Sequence, residues 1–305
     1  MKYNKAYLVF AMAVAMISCK NESKKVQETA KQPKTTVEVQ GHRGDRGNFP
    51  ENTIPAFLSA VKKGADVVEL DVVISKDGKV VVSHEPFMSS LYVTTPAGDS
   101  IAKETERSYN LHEMTYDSIR KFDTGSKGNK NFTQQQKMRT YKPLLEEVID
   151  SVENYVKANN SKPVHYNIEI KSEEKEYGIS QPQPSVFVDM VMKVLTEKVI
   201  IDKMNIQSFD PAILNEMHKK YPQVTLAYLT AKPGIDSNLS QMDFTPSIYS
   251  PNYKLVNEAF IDSLRQKNMR VIPWTVNNDE DINRMIQLKV DGIITDYPER
   301  VLSKL

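Results

Sequence analysis

Glu69 and Asp71 stand two residues apart in the run Asp66-Val67-Val68-Glu69-Leu70-Asp71-Val72, which otherwise reads as a β-strand. Side chains alternate faces along a strand, so the two carboxylates share one face. Whether that face meets a packed interior or a layer of helices, it does not accept two unpaired carboxylates. Either an Arg or Lys holds the pair, or a bound cation does. A second run, Asn167-Ile168-Glu169-Ile170-Lys171, puts Asn167, Glu169 and Lys171 on one face in the same way. A third carboxylate with a lysine just beyond it fits a cation site next to a phosphate site. Three carboxylates and no nearby cysteine select one hard divalent cation, Mg2+ or Ca2+, over zinc.

The chain holds five histidines. His42 ends one β-run and His84 another, and two imidazoles that titrate near neutrality can divide a hydrolysis between accepting and donating a proton. Arg43 follows His42 directly; its guanidinium either grips phosphate oxygens in a bidentate fork or closes a loop salt bridge. Pro50-Glu51-Asn52-Thr53 then opens a helix. Asn52 is the expected cap. Glu51 either bonds the site's histidine or the ion's water, or is purely structural. His112, His165 and His218 read as surface or satisfied histidines.

These residues need a scaffold that brings strand ends together. From Val37 onward, short β-rich runs alternate with helical patterns, the rhythm of a parallel sheet with helical crossovers. Strands are expected at 37–42, 66–72, 164–170, 204–209, 224–229, 246–250, 270–276 and 291–295. Helices are expected at 53–63, 143–158, 184–198, 211–220, 256–267 and 279–288. Eight strands close a TIM-type (β/α)8 barrel, whose catalytic groups gather at the C-terminal ends of the strands.

Two stretches break the rhythm. Residues 72–84 hold two β-runs around Asp77-Gly78, a two-residue hairpin signal. A tight hairpin cannot join neighbouring parallel strands, so the return arm is an excursion above the barrel mouth. That turn pairs Lys76 with Lys79 and sets Asp71 opposite His84. Residues 86–141 are too long for a simple loop. They are expected to form a small polar insertion at the mouth, with one helix-like piece near Ser118–Phe122.

The N-terminus is a targeting segment. Lys2 and Lys5 precede the apolar stretch Ala6 to Met16, which is too short to span a bilayer. Met16-Ile17-Ser18-Cys19 looks like a bacterial lipobox, which makes 1–18 a signal peptide and Cys19, the only cysteine, the lipidated residue. Residues 19–36 read as a disordered tether and 37–305 as the barrel. This places the protein on the bacterial cell envelope, periplasmic or at the outer-membrane surface, attached to the membrane by the lipid alone. Lys+Arg 40 against Asp+Glu 39 gives no charge bias that would favour nucleic acid.

The ordered set His42-Arg43-Gly44, Pro50-Glu51-Asn52-Thr53, Glu69-Leu70-Asp71-Val72, Lys76-Asp77-Gly78, His84, Glu169-Ile170-Lys171, Gln207-Ser208-Phe209, Trp274-Thr275-Val276-Asn277 and Asp291 to Asp296 resembles the glycerophosphodiester phosphodiesterase family over about 37–303. The resemblance implies a TIM barrel, a single divalent cation and hydrolysis of a glycerophosphodiester to sn-glycerol 3-phosphate plus an alcohol. It implies that Glu69, Asp71 and Glu169 ligate the metal and that His42 and His84 are the acid/base pair. Arg43 and Lys171 would hold phosphate, Trp274 would wall the glycerol side, and Glu51 and Gln207 would complete the substrate site. The family usually has His-Asp where this chain has His84-Glu85. Rival readings are a phosphatidylinositol phospholipase C-like or sphingomyelinase D-like enzyme, and a surface lipoprotein that binds a phosphorylated ligand without catalysis.

Overall fold

The alternation from Val37 onward folds into a ring of parallel strands with helices outside it, in a computed structural model that describes residues 37–305. The expected signal peptide, Cys19 and tether lie outside the described residues. The described residues begin with β1 (Glu38–Gly41), α1 (Ile54–Lys63), β2 (Val67–Ile74) and β3 (Val80–Val82). A loop-rich stretch with two 3-10 helices (Lys103–Ser108 and Leu111–Glu113) and one short α-helix, α2 (Tyr116–Ile119), leads to α3 (Leu145–Ala158). Regular alternation follows: β4 (His165–Ile170), α4 (Pro184–Glu197), β5 (Met204–Ser208), α5 (Pro211–Lys220), β6 (Thr225–Thr230) and α6 (Ile235–Leu239). It ends with β7 (Ile248–Pro251), α7 (Glu258–Gln266), β8 (Arg270–Val271), α8 (Asp279–Gln287), β9 (Gly292–Thr295) and α9 (Pro298–Leu302).

The strand order is β8-β7-β6-β5-β4-β2-β1-β9, every neighbouring pair parallel. Backbone bonds complete the ring between β8 and β9: Asp291 N–H to Val271 O at 2.9 Å, and Ile294 N–H to Pro273 O and Val276 N–H to Ile294 O, both at 3.0 Å. The fold is the expected (β/α)8 barrel. The strand expected at 270–276 is cut to Arg270–Val271 because Pro273 has no N–H to give to a ladder. Ile272 and Trp274 still bond to Tyr249 O and Pro251 O, at 3.1 and 3.0 Å.

The barrel interior has two unlike halves. On one side Gln40, Asn167, Asn205 and Gln207 form a chain of amides: Asn205 donates to Asn167 at 2.6 Å, and Asn167 donates to Gln40 at 2.8 Å and Gln207 at 3.0 Å. Pairing of this kind removes most of the penalty for burying amides. On the other side Ala227, Ile248, Ile272 and Ile294 pack with Trp274. Outside, α1 presents Phe57, Ala60 and Val61 to the barrel. Its cap is Thr53, whose hydroxyl accepts from Ala56 N–H at 3.4 Å, and not the expected Asn52.

The hairpin exists, but its register is one residue away from the expected one. Val72, Val73 and Ile74 face Val82, Val81 and Val80. The loop therefore has three residues, Lys76-Asp77-Gly78, closed by a left-handed glycine, Gly78, at φ +74°. Side chains select it. The Ser75 hydroxyl donates to Asp77 at 2.7 Å and accepts from Lys79 N–H at 2.9 Å. Asp71 consequently faces Ser83, whose N–H reaches the Asp71 carbonyl at 2.9 Å, and His84 is the next residue along.

The insertion has its own core despite its polar composition. Met88, Tyr92, Val93, Ile101, Leu111, Ile119 and Phe122 pack against Val73 and Val81 of the hairpin. Its helix begins at Tyr116, two residues before the expected piece. Gln135 fastens its far end to the β1–α1 loop, donating to Arg46 O and Phe49 O, each at 2.8 Å.

Candidate active site

β2 and β4 run side by side with Glu69 opposite Asn167 and Asp71 opposite Glu169. This register brings Glu69, Asp71 and Glu169 together: each offers an oxygen within 4.8 Å of the others, and all three residues are buried. Glu69 accepts from Arg43 N–H and from Gln207 Nε2, both at 2.8 Å. Asp71 Oδ2 accepts from Asn52 Nδ2 at 2.8 Å, while its Oδ1 is buried without a hydrogen-bond partner among the described residues. Lys171 Nζ reaches Glu169 at 2.8 Å and stands 3.9 Å from Asp71.

Burial, then the charges of Asp71 and Glu169, push Glu69 well above the ordinary carboxylate range. Glu169 is raised by burial against the pull of Lys171, with Asp71 adding to the rise. Burial works upward on Asp71 as well, but His84, Arg43 and Lys171 outweigh it and hold that group far below the range. Three buried carboxylates thus share two nearby cations, Lys171 and Arg43, and one Asp71 oxygen stays bare. An all-oxygen donor set with a bare buried oxygen fits a hard cation, which supplies further positive charge.

His42, at the end of β1, hydrogen-bonds through Nδ1 to Asp296 Oδ1 at 2.7 Å, just past the end of β9. Asn277 donates to the other oxygen of Asp296 at 2.7 Å. Burial pushes His42 down to about 4, with Asp296 pulling upward and Arg43 adding to the fall. Asp296 itself sits at about 2, because His42 and Arg46 outweigh the effect of burial. At neutral pH an ionised carboxylate can only accept, so Nδ1 carries the His42 proton and Nε2 is bare. His84 repeats the arrangement, with Nδ1 at 3.1 Å from Glu85 Oε1. Glu85 is held far below its range by its bond to His84 and by Lys142, against burial. Tyr92 of the insertion donates to its second oxygen at 2.7 Å.

Arg43 adopts φ +53° and Asn52 φ +55°, left-handed conformations that cost a non-glycine residue energy. Both serve the carboxylates. The twist at Arg43 accompanies its N–H bond to Glu69, and the one at Asn52 accompanies its bonds to Asp71. The Arg43 guanidinium donates to Glu51 at 2.7 Å, with Nε 3.4 Å from Asp71. Glu51 therefore stands behind two arginines, Arg43 and, at 3.6 Å, Arg46. It does not bond a histidine. A cavity of about 280 Å3 is lined by His42, Arg43, Glu69, His84, Glu169, Lys171, Gln207, Phe209 and Trp274, among others. Trp274 is fixed by Nε1–H to Ser250 O at 2.8 Å and meets Phe209 edge-on at 5.3 Å. Of the residues expected at the site, only Glu51 and Asp71 do not line this cavity, and Asp71 belongs to the carboxylate cluster beside it. Sequence reasoning gave no role to Asp296, Asn277, Tyr92 or Lys142 and gave Asn52 the wrong one. Asp296 was within reach, as the acid that closes the last β-run.

Fold and site together make this a barrel hydrolase of phosphoric esters. Residues 42–300 match the glycerophosphoryl diester phosphodiesterase family. The glycerophosphodiester phosphodiesterase of Caldanaerobacter subterraneus subsp. tengcongensis is 29% identical over 87% of this chain and 96% of its own. A solved protein of the same family from Silicibacter pomeroyi superposes with a TM-score of 0.77 at 27% identity, covering 87% and 92%. An Oleispira antarctica phosphodiesterase, solved with the product sn-glycerol-3-phosphate, shares the fold at TM-score 0.69 and 20% identity, covering 87% and 95%. The chain belongs to the glycerophosphoryl diester phosphodiesterase family.

Proposed function

We propose that this protein hydrolyses glycerophosphodiesters to sn-glycerol 3-phosphate and an alcohol, with His42 and His84 as the acid/base pair and one divalent cation, Mg2+ or Ca2+, at Glu69, Asp71 and Glu169. The carrying observation is that one small cavity joins the carboxylate cluster to two imidazoles, each oriented by its own carboxylate. Arg43 and Lys171 bind phosphate oxygens, and Trp274 and Phe209 wall the glycerol. His42, neutral with a bare Nε2, accepts the nucleophile's proton; water attacking phosphorus gives glycerol 3-phosphate directly, whereas attack by the substrate's C2 hydroxyl gives a cyclic phosphate that a second water must open. His84, on the outer wall, donates to the leaving alkoxide. When bound, the cation offsets negative charge growing on the phosphoryl oxygens. Lipidation at Cys19 holds the barrel on the cell envelope.

The large apolar side chains exposed among the described residues are Ile179, Val186, Val199, Phe209 and Leu305, none of them within 86–141. An enzyme that seizes intact lipid would want an apolar rim there, so the lipid-directed readings gain no support. The test is release of glycerol 3-phosphate from glycerophosphocholine with and without EDTA. Turnover should vanish with chelation and return with added cation, and the cation should also raise the melting temperature, since it binds only the folded cluster. Turnover that persists in EDTA would remove the cation from the reading.

A further inference from the structure

A cleft of about 900 Å3 is walled almost entirely by the insertion. Lys103, Lys127, Lys130 and Lys137 line it, against two acids, Glu85 and Glu106. Both acids are already occupied. Glu106 takes the Lys103 ammonium and, from Ser90, N–H at 3.0 Å and hydroxyl at 2.6 Å, and Glu85 takes His84 and Tyr92. Lys127 reaches only the neutral carbonyl of Ser90, at 2.5 Å. Lys130 and Lys137 make no ion pair with any described residue. A chain of net charge +1 thus concentrates three uncompensated ammonium groups in one hollow. The floor is firm: Asn129, Phe132 and Gln135 are buried, and Gln135 is bonded across to the loop that follows Arg43.

This cleft adjoins the reaction cavity through shared wall residues. An intermediate hollow of about 320 Å3 shares His84, Lys171 and Phe209 with the reaction cavity, and Glu85 and Phe87 with the basic cleft. The residues common to these hollows cluster at His84 and Glu85, which in the proposed reaction is the side of the leaving alcohol, opposite Trp274. Resting on the proposed function, we propose that the basic cleft binds the alcohol portion of diesters whose alcohol carries a second phosphate. Positive potential in a concave wall raises the local concentration of such a group and holds it by salt-sensitive attraction.

The test compares bis(glycerophospho)glycerol, which has a second phosphate, with glycerophosphocholine, whose alcohol is a cation, in the wild type and a Lys130→Glu/Lys137→Glu double variant. Both lysines are exposed, so the variant should fold normally. The expected result is a KM for the two-phosphate substrate raised roughly tenfold by the variant, with a flatter salt dependence and unchanged kcat. The KM for glycerophosphocholine should stay within about twofold, because the cleft carries no contact for it. Equal effects on both substrates, or none on either, would overturn the proposal. Should the wild type cleave neither substrate, the proposed function fails. The cleft is then judged by calorimetric titration with bis(glycerophospho)glycerol, where wild-type binding that the double variant loses supports it and equal binding rejects it.

Discussion

In the proposed reaction His42 depends on Asp296 to serve as a base. The carboxylate keeps the proton on Nδ1 and leaves Nε2 bare, while burial keeps the ring neutral. Asp296→Asn should damage this arrangement without touching the carboxylate cluster. An amide can donate to Nδ1 and so drive the proton to Nε2, the wrong nitrogen. Turnover should fall by roughly 10²–10⁴-fold with unchanged cation affinity, measured by steady-state kinetics beside a metal titration; a loss under tenfold would leave Asp296 a structural residue. The pH dependence has a definite sign. With its folded value near 4, below the ordinary 6.5, His42 stays neutral until the pH falls through about 4, and the acid limb it sets on kcat/KM should lie there. The unfolded chain takes up that proton first, so His42 withdraws stability progressively as pH drops from about 6.5 to about 4. The carboxylate cluster was legible in the sequence because a period of two fixes faces. Asp296 stood in plain view as the acid closing the last β-run, but its pairing with His42 was not legible, because the two lie 254 residues apart and only ring closure brings them together. Asn52 was misread because a cap and a left-handed carboxylate clasp use the same residue type, and Thr53 stood next to it to do the capping.

At the scale of elements, the β1–α1 loop is the most constrained piece of the site. Gly44 sits at φ +85°, and a Cβ there would come within 2.6 Å of the Ala56 backbone. Gly44→Ala must therefore shift either the first turn of α1 or the loop that aims Arg43 N–H at Glu69. Melting should show a loss of more than the ~1–2 kcal/mol that left-handed strain alone costs, and kcat should drop with it. Gly98→Ala is the control: its φ is +93° with nothing within 4 Å of an added Cβ, so it should cost stability and leave kcat alone. If the two variants behaved alike, crowding at Gly44 would not matter. The element pattern itself was largely legible, since barrel strands and helices announce themselves by period. The hairpin register was not, because Asp77-Gly78 suits both a two- and a three-residue loop. The choice fell to Ser75 and Asp77 side chains, the latter also held by Tyr116 N–H at 2.9 Å.

For the whole molecule, alternation and eight-fold strand count were enough to infer a barrel. The insertion's core was hidden, because its apolar residues follow no helical or strand period and find one another only on the hairpin surface. The N-terminal reading is tested at this scale. If the lipid on Cys19 is the attachment, Cys19→Ser should move the protein to the soluble fraction or stall its processing, as read by fractionation and mass. Unchanged membrane association would assign the anchoring to some other part of the chain.

β9 lies against β1, and the bond between His42 and Asp296 crosses that seam. A ribosome delivers the two partners at opposite ends of its work. The imidazole emerges 254 residues before the acid that orients it, so on the proposed reading a nascent chain that stops short of Asp296 holds no oriented base. On that reading the site is completed by the strand that closes the ring, after β1 and β2 have already supplied His42 and two of the carboxylates.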